Sequence, residues 1–253
     1  MRTLFVGRHI VRLERIASTN VYAQERIRGE RLPEGTVIVA RDQTAGKGQK
    51  GNRWETAPGM NLTCSLVFYP RFLPVTQQFC LTKCVSLAVR DTLQEFTKEV
   101  VRIKWPNDLY AGNRKIGGIL IENSLRGSQL QHAVVGIGIN VNQTRFPDTL
   151  PGAISLQHLT GNVVDLEEIL ELLCVRLEAN YLALKARIDA FDASYLEAQF
   201  GWDAWRPYRF DGTVSRAKIR KVDQEGRLVL ELPDGTERPF RHREVVYIID
   251  TDS

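Results

Sequence analysis

The chain has 253 residues, 43% of them hydrophobic and 25% charged, with a formal net charge of +4 at pH 7. That length suits one domain of about 200 residues plus a small one and can bury a sizeable core. The composition excludes a fibrous, low-complexity or disordered chain, and the mild charge does not by itself point to a polyanion partner.

No apolar run near the N-terminus is long enough for a signal peptide or a membrane span, so a cytoplasmic protein is expected. The early arginines Arg2, Arg8, Arg12, Arg15, Arg26, Arg28 and Arg31 read as a solvated surface rather than a nucleic-acid face. Ser18 and Thr19 cap an amphipathic helix that runs to about Glu30. Thr36 to Ala40 reads as a short buried strand, and Asn61 to Tyr69 as another after a glycine-rich loop. Apolar residues recur at helical spacing from Val75 to Lys98. Cys80 and Cys84 fall one turn apart on that stripe, where core packing accounts for them better than a metal or a disulfide. Three strands follow, Val101–Lys104, Ile116–Glu122 and His132–Val141, and their short connections favour antiparallel pairing. Residues 165–200 are helical in pattern, with Leu166, Ile169, Leu170, Leu173 and Leu177 on one face. After Trp202–Pro207, strand-like pieces broken by Asp211-Gly212, Glu225-Gly226 and Asp234-Gly235 suggest a small β-barrel. The expected division is therefore 1–204 and 205–253.

The chemistry concentrates in four segments. Gly46-Lys-Gly-Gln-Lys-Gly-Asn-Arg-Trp54 combines glycines with Lys47, Lys50 and Arg53, so backbone N–H groups can close on an anion that cations neutralise. A strand pattern follows it, which excludes both a dinucleotide fingerprint and a P-loop. Lys104-Trp-Pro-Asn-Asp108 reads as a turn at a strand end, except that Lys104 sits in an apolar strand and needs an anion. Lys115-Ile-Gly117-Gly118-Ile-Leu120 and Gly136-Ile-Gly-Ile-Asn140 weaken neighbouring strands with glycines, which is useful where a ligand approaches the backbone. Together they describe a slot with cationic walls. His9, His132, His158 and His242 lie outside these motifs and show no metal-ligand spacing, so no protein-held metal site is expected.

With Ser18-Thr-Asn20, Gln43 and Asn61-Leu62 added, the motifs from about residue 15 to 145 resemble a biotin protein ligase in order and spacing. The resemblance implies an α/β fold, with a mixed, mainly antiparallel sheet, flanking helices and a small C-terminal SH3-like barrel. It implies ATP and Mg²⁺ as cofactors, and biotin and a carboxylase's biotin carboxyl carrier domain as partners. Biotinyl-5′-AMP forms first, and a carrier lysine then takes the biotinyl group. By family position Ser18, Thr19, Asn20, Gln43 and Gly136 contact biotin, with Gly117 and Gly118 beside it. Lys47, Gly48 and Gln49 cover the acyl-adenylate junction, and Lys115 meets the carboxylate and the α-phosphate. Trp54 and Asn140 flank the adenine. Lys104, Asn107 and Asp108 handle phosphate, metal and the incoming amine, with Asp108 orienting or deprotonating that amine.

Many members of the family carry arginine where Lys47 and Gln49 stand, and often where Asn52 stands. Lysine offers a point charge and glutamine none in place of a planar fork, so Lys50 or Arg53 is left to compensate. Too few residues precede Ser18 for the winged helix-turn-helix of bifunctional members, so DNA binding is not expected. A monomer and a homodimer both fit. The alternatives are a lipoate or octanoate ligase, a non-catalytic biotin sensor, and a nucleic-acid module using Trp202, Trp205, Tyr208 and Phe210. The Gly46–Trp54 loop favours biotin over lipoate, and the retained phosphate-handling cations argue against a sensor. The C-terminal aromatics are expected to plug an interface.

Overall fold

A computed structural model describes residues 2–249, apart from the side chain of Lys50. In chain order its elements begin with β1 (Ile10–Ile16), α1 (Thr19–Gly29), β2 (Val37–Gln43), β3 (Leu62–Phe68) and α2 (Phe79–Gln94). Then come β4 (Val101–Lys104), β5 (Asp108–Ala111), β6 (Arg114–Arg126), β7 (Gln129–Ile139), α3 (Leu156–Thr160), α4 (Leu166–Ala186) and α5 (Asp192–Glu197). The C-terminal strands are β8 (Arg206–Phe210), β9 (Thr213–Val222), β10 (Leu228–Glu231), β11 (Glu237–Phe240) and β12 (Val246–Tyr247).

The first seven strands form one sheet in the order β1-β2-β3-β7-β6-β5-β4. β1 and β2 are parallel across α1, and the remaining pairs are antiparallel, including the run from β4 to β7 whose short connections predict it. Alternation along the strands sorts the sheet into two faces. Leu62, Cys64, Leu66 and Phe68 of β3, with Ala133, Val135, Ile137 and Ile139 of β7, join the main core under α2 and α4. Cys80, Cys84 and Cys174 lie in the same core as free thiols, and burial pushes Cys174 up to about 12. On the other face α1 covers only one end, through a small cluster of Ala23, Leu32, Ile38, Val67 and Val134. Thr63, Ser65, Gly136, Gly138, Gly118 and Asp108 share that face, and it is open beyond α1.

Two strands differ from the sequence reading. β1 is edged with Arg12 and Arg15, which pair with Glu167 at 2.8 Å and Asp42 at 3.2 Å. Charges of this kind protect a sheet edge from further pairing. β5 begins at Asp108, inside what reads as a turn, because Trp105-Pro106-Asn107 alone suffices to reverse the chain.

The C-terminal strands form a second, antiparallel sheet, β11-β10-β9-β8-β12. β9 pairs with β8 through its first half and with β10 through its second, so the sheet curls around one strand. β11 and β12 are its edges, so the small C-terminal β unit expected from the turn signals is five strands curled around β9. Its core of Tyr208, Phe210, Ile219, Leu230 and Phe240 also takes in Trp105 and Phe200 from the preceding part of the chain. The indole N–H of Trp105 donates to the Gly226 carbonyl at 3.0 Å. Tyr208 and Phe210 are thus interior, as expected, whereas Trp205 is exposed. No helix among the described residues is long and apolar enough to cross a membrane.

Candidate active site

The open end of the sheet holds a cavity between α1, the Gly46–Trp54 loop and strands β5, β6 and β7. Ser18, Thr19, Asn20, Gln43, Lys47, Gly48, Gln49, Trp54, Asp108, Lys115, Gly118 and Gly136 all line it. Its two ends differ in construction.

At the α1 end the polar groups hold one another. Ser18 is the N-cap of α1 but makes no capping bond with its side chain, which leaves the hydroxyl for the cavity. Gln43 Oε1 accepts from the Thr19 backbone N–H at 2.8 Å and lies 3.0 Å from the Thr19 hydroxyl. Ser65 Oγ lies 2.7 Å from Thr19 Oγ1 and 2.6 Å from Asn20 Oδ1. Asn20 Nδ2 donates to Glu122 Oε2 at 2.8 Å, which fixes the direction of the amide. Asn20 Oδ1 can therefore only accept, and the Ser65 hydrogen goes to it. One hydroxyl hydrogen, that of Thr19, remains for two further oxygen contacts. This end is short of hydrogens, so a ligand bringing N–H groups satisfies it.

At the other end the groups are charged and half-exposed. β5 and β6 carry a bulge between Leu109 and Tyr110, where Tyr110 pairs with Lys115 and Leu109 with Gly117. The extra residue, Ile116, turns Lys115 onto the same face as Gly118 and Asp108. Lys115 Nζ then meets Asp108 Oδ1 at 2.6 Å and stands 6.0 Å from the Trp54 ring. Above it the glycine-rich loop folds on itself. Gly48 N–H donates to the Asn52 carbonyl at 2.7 Å, and Trp54 N–H to that of Gly46 at 3.0 Å. A Cβ on Gly46 would stand 2.4 Å from the Trp54 carbonyl, so only glycine closes this turn. A second cavity lies behind Trp54, lined by Arg53, Trp54, Glu55, Lys115, Asn140, Phe146, Leu150 and Ala153. Arg53, Trp54 and Lys115 belong to both cavities. Trp54 Nε1 is buried without a hydrogen-bond partner among the described residues.

The glycines work differently from their reading in the sequence. A Cβ on Gly136 would meet Asn20 Oδ1 at 2.4 Å, and one on Gly138 would meet the Trp54 ring at 2.3 Å. These glycines leave room for the Asn20 and Trp54 side chains that shape the slot, and both also line it. At Gly118 the nearest atoms are Asp108 Oδ1 at 3.3 Å and Lys115 Nζ at 3.4 Å. Gly117 faces the other way, toward Leu109 and the Gly138 carbonyl, and lines neither of these two cavities.

Two further expected residues also lie outside the main cavity. Asn107 turns its amide onto the Ile119 carbonyl and borders a groove toward the C-terminal sheet. Lys104 is opposite Asp108 in the hairpin, but its ammonium lies between the rings of Tyr110, at 5.5 Å, and Tyr247, at 5.3 Å. Burial pushes its pKa below the ordinary lysine range, Asp108 opposes that shift and Lys115 adds to it. His242, which sequence spacing set aside, lines both the main cavity and the groove. A histidine between two arginines in a C-terminal turn carries no signal of that position. Gly138 stood in a quoted motif, and Ser65 and Glu122 had only their place on alternating strands to betray them.

The Biotin/lipoate A/B protein ligase family model matches residues 13–140. The biotin–[acetyl-CoA-carboxylase] ligase of Paracoccus denitrificans is 31% identical over 242 residues, covering 89% of this chain and 95% of that one. The bifunctional ligase/repressor BirA of Escherichia coli is 30% identical over 257 residues, covering 94% of this chain and 74% of its own. Among solved structures, the Aquifex aeolicus biotin protein ligase in complex with biotin and ATP superposes with a TM-score of 0.78 at 25% identity, covering 96% of this chain and 100% of that one. The slot on the open sheet face, the folded glycine loop and the lysine beside it all fall within or beside the matched span, and on that match the chain belongs to the biotin/lipoate A/B protein ligase family as a biotin protein ligase.

Proposed function

We propose that the chain joins biotin to ATP as biotinyl-5′-adenylate and then passes the biotinyl group to a lysine of a carboxylase's carrier domain. The observation that carries this reading is the wall common to the two cavities. Lys115 belongs to both, so its ammonium stands where the acid at the end of one ligand would meet the α-phosphate of another. Two anions repel, and a preorganised cation at their meeting point stabilises the charge that builds up between them. The hydrogen-poor cluster of Thr19, Asn20, Gln43 and Ser65 suits the N–H groups of a cyclic urea at the far end of biotin. The orphaned Trp54 Nε1 suits a nucleotide acceptor on its side of the wall.

In the first step a biotin carboxylate oxygen attacks the α-phosphorus, and the bond from that phosphorus to the bridging oxygen breaks to release pyrophosphate. In the second, the carrier amine attacks the acyl carbon, the bond to the adenylate oxygen breaks, and AMP leaves with the electron pair. Asp108 is placed to orient that amine and to take its proton. Lys47, Gly48 and Gln49 close over the junction, while Trp54 and Asn140 bound the adenine. No group of three metal-ligating side chains exists among the described residues. Among the described residues Asp108 is the one carboxylate lining the main cavity, so a magnesium ion brought by ATP would find few protein ligands there. Such an ion supplies charge neutralisation along the phosphates. Residues 1–204 serve as the catalytic unit and 205–253 as its small C-terminal partner.

Incubation with biotin, ATP and Mg²⁺ is expected to release pyrophosphate, and addition of a purified carrier domain to yield one biotinyl group per carrier by mass spectrometry. Lipoate and octanoate, offered in place of biotin, are expected to fail. Folded protein that releases no pyrophosphate overturns the reading, and a preference for lipoate moves it to the family's other branch.

A further inference from the structure

Lys115 has two incompatible tasks. It closes an ion pair with Asp108 at 2.6 Å, and on the proposed function it must turn to the anions where the cavities meet. When it turns, the Asp108 carboxylate loses its counter-ion in a half-buried site, a loss that opposes the movement. A cation able to replace it is Lys104, directly opposite Asp108 in the β4–β5 hairpin and in electrostatic reach of it. Side chains opposite one another in an antiparallel pair project to the same face with their Cβ atoms about 5 Å apart. Lys104 lines neither of the two cavities. What holds its ammonium is aromatic, with the Tyr110 ring on one side and the Tyr247 ring on the other.

Tyr247 comes from β12, the two-residue edge strand of the C-terminal sheet. It pairs with Tyr208 in the strand register and packs against the Tyr208 ring at 4.9 Å. Its hydroxyl is buried against the Trp105 backbone N–H, at the turn of the β4–β5 hairpin. Its ring face toward Lys104 is a second contact with that hairpin.

We infer that Tyr247 is a positioning residue: it holds the Lys104 ammonium as a reserve counter-ion for Asp108, which frees Lys115 to serve the reacting anions. The inference rests on the proposed function and goes beyond it, because it gives the C-terminal sheet a part in adenylate formation. Attraction to a ring face depends on the ring's electron density, whereas packing does not. The test is therefore a series at position 247: phenylalanine, then its mono-, di- and trifluorinated analogues introduced by codon suppression. The rate of pyrophosphate release at saturating biotin is expected to fall stepwise along the series, by roughly 10-fold in total. Biotin affinity is expected to stay constant, because the α1 end of the cavity is untouched. In a Lys104→Met background the dependence on fluorine is expected to vanish from the residual rate. A flat series overturns the inference, and so does a slope that persists without Lys104. Absence of pyrophosphate from the unsubstituted chain is a separate outcome, since it overturns the proposed function itself.

Discussion

The two ends of the cavity are built on opposite terms. At the α1 end, Ser18, Thr19 and Asn20 are each 3% exposed, and Gln43, Ser65 and Glu122 hold Thr19 and Asn20 through contacts of 2.6 to 3.0 Å. At the loop end, Lys115 and Asp108 are about a third exposed and are held by one ion pair, while Lys47 and Arg53 are exposed. A neutral, N–H-rich ring can be met by a rigid surface, because its charge does not change during reaction. On the proposed function, the hydrogen-bonded end meets the ring that keeps its charge, and the ion-paired end meets the carboxylate and phosphates that change theirs.

The largest expected effect comes from removing the cation shared by the two cavities. Lys115→Ala should lower adenylate formation by about 10²–10³-fold, the usual cost of losing one preorganised group at a developing charge. Biotin affinity should change by only a few fold, since the α1 end keeps every contact. Pyrophosphate release measured alongside isothermal titration with biotin checks both. A matching collapse of biotin affinity would show that the two ends are not independent.

A sharper test of the same contrast uses one substitution at each end. Gly136→Ala places a methyl group where Asn20 Oδ1 now lies, and Asn20 can yield only by giving up its bonds to Ser65 and Glu122. Two hydrogen bonds of about 1 kcal/mol each correspond to biotin binding weakened by roughly 30-fold. Gly118→Ala meets only the flexible ends of Asp108 and Lys115 at 3.3 to 3.4 Å and should cost no more than a few fold in rate. Equal penalties at the two positions would remove the distinction between a locked end and a yielding one.

The sequence made the loop end more legible than the α1 end. Glycines beside lysines have few structural reasons to coincide, so Lys47, Lys115 and the slot could be read directly. The lock could not, because Ser65 and Glu122 are ordinary polar residues on strands and gain meaning only when β3 and β6 bring them to Asn20. Gly117 and Gly118 looked equivalent until the bulge at Ile116 and the pleat sent them to opposite faces. The arginines of β1 concealed a strand, since an edge strand needs charge and only weak alternation. Lys104 reads as needing an anion, whereas its ammonium lies against Tyr110 and Tyr247, which come from another strand and another sheet.

The smallest effect concerns what the loop lacks. Gln49 lines the cavity and the groove beside it, in the short turn Gln49–Gly51 that caps the loop. Its amide contributes no charge over the phosphate side. Gln49→Arg adds a planar fork able to make two charge-assisted bonds to a phosphate, at a position whose backbone is already folded over the cavity. Escape of preformed biotinyl-adenylate should slow by about 3–10-fold, allowing for the exposure and mobility of the loop. The biotin dissociation constant should not move, because the new charge is remote from the α1 end. A chase of labelled adenylate from the purified protein measures the half-life. An unchanged half-life would mean that the locked end, and not the charged cover, decides how long the intermediate stays.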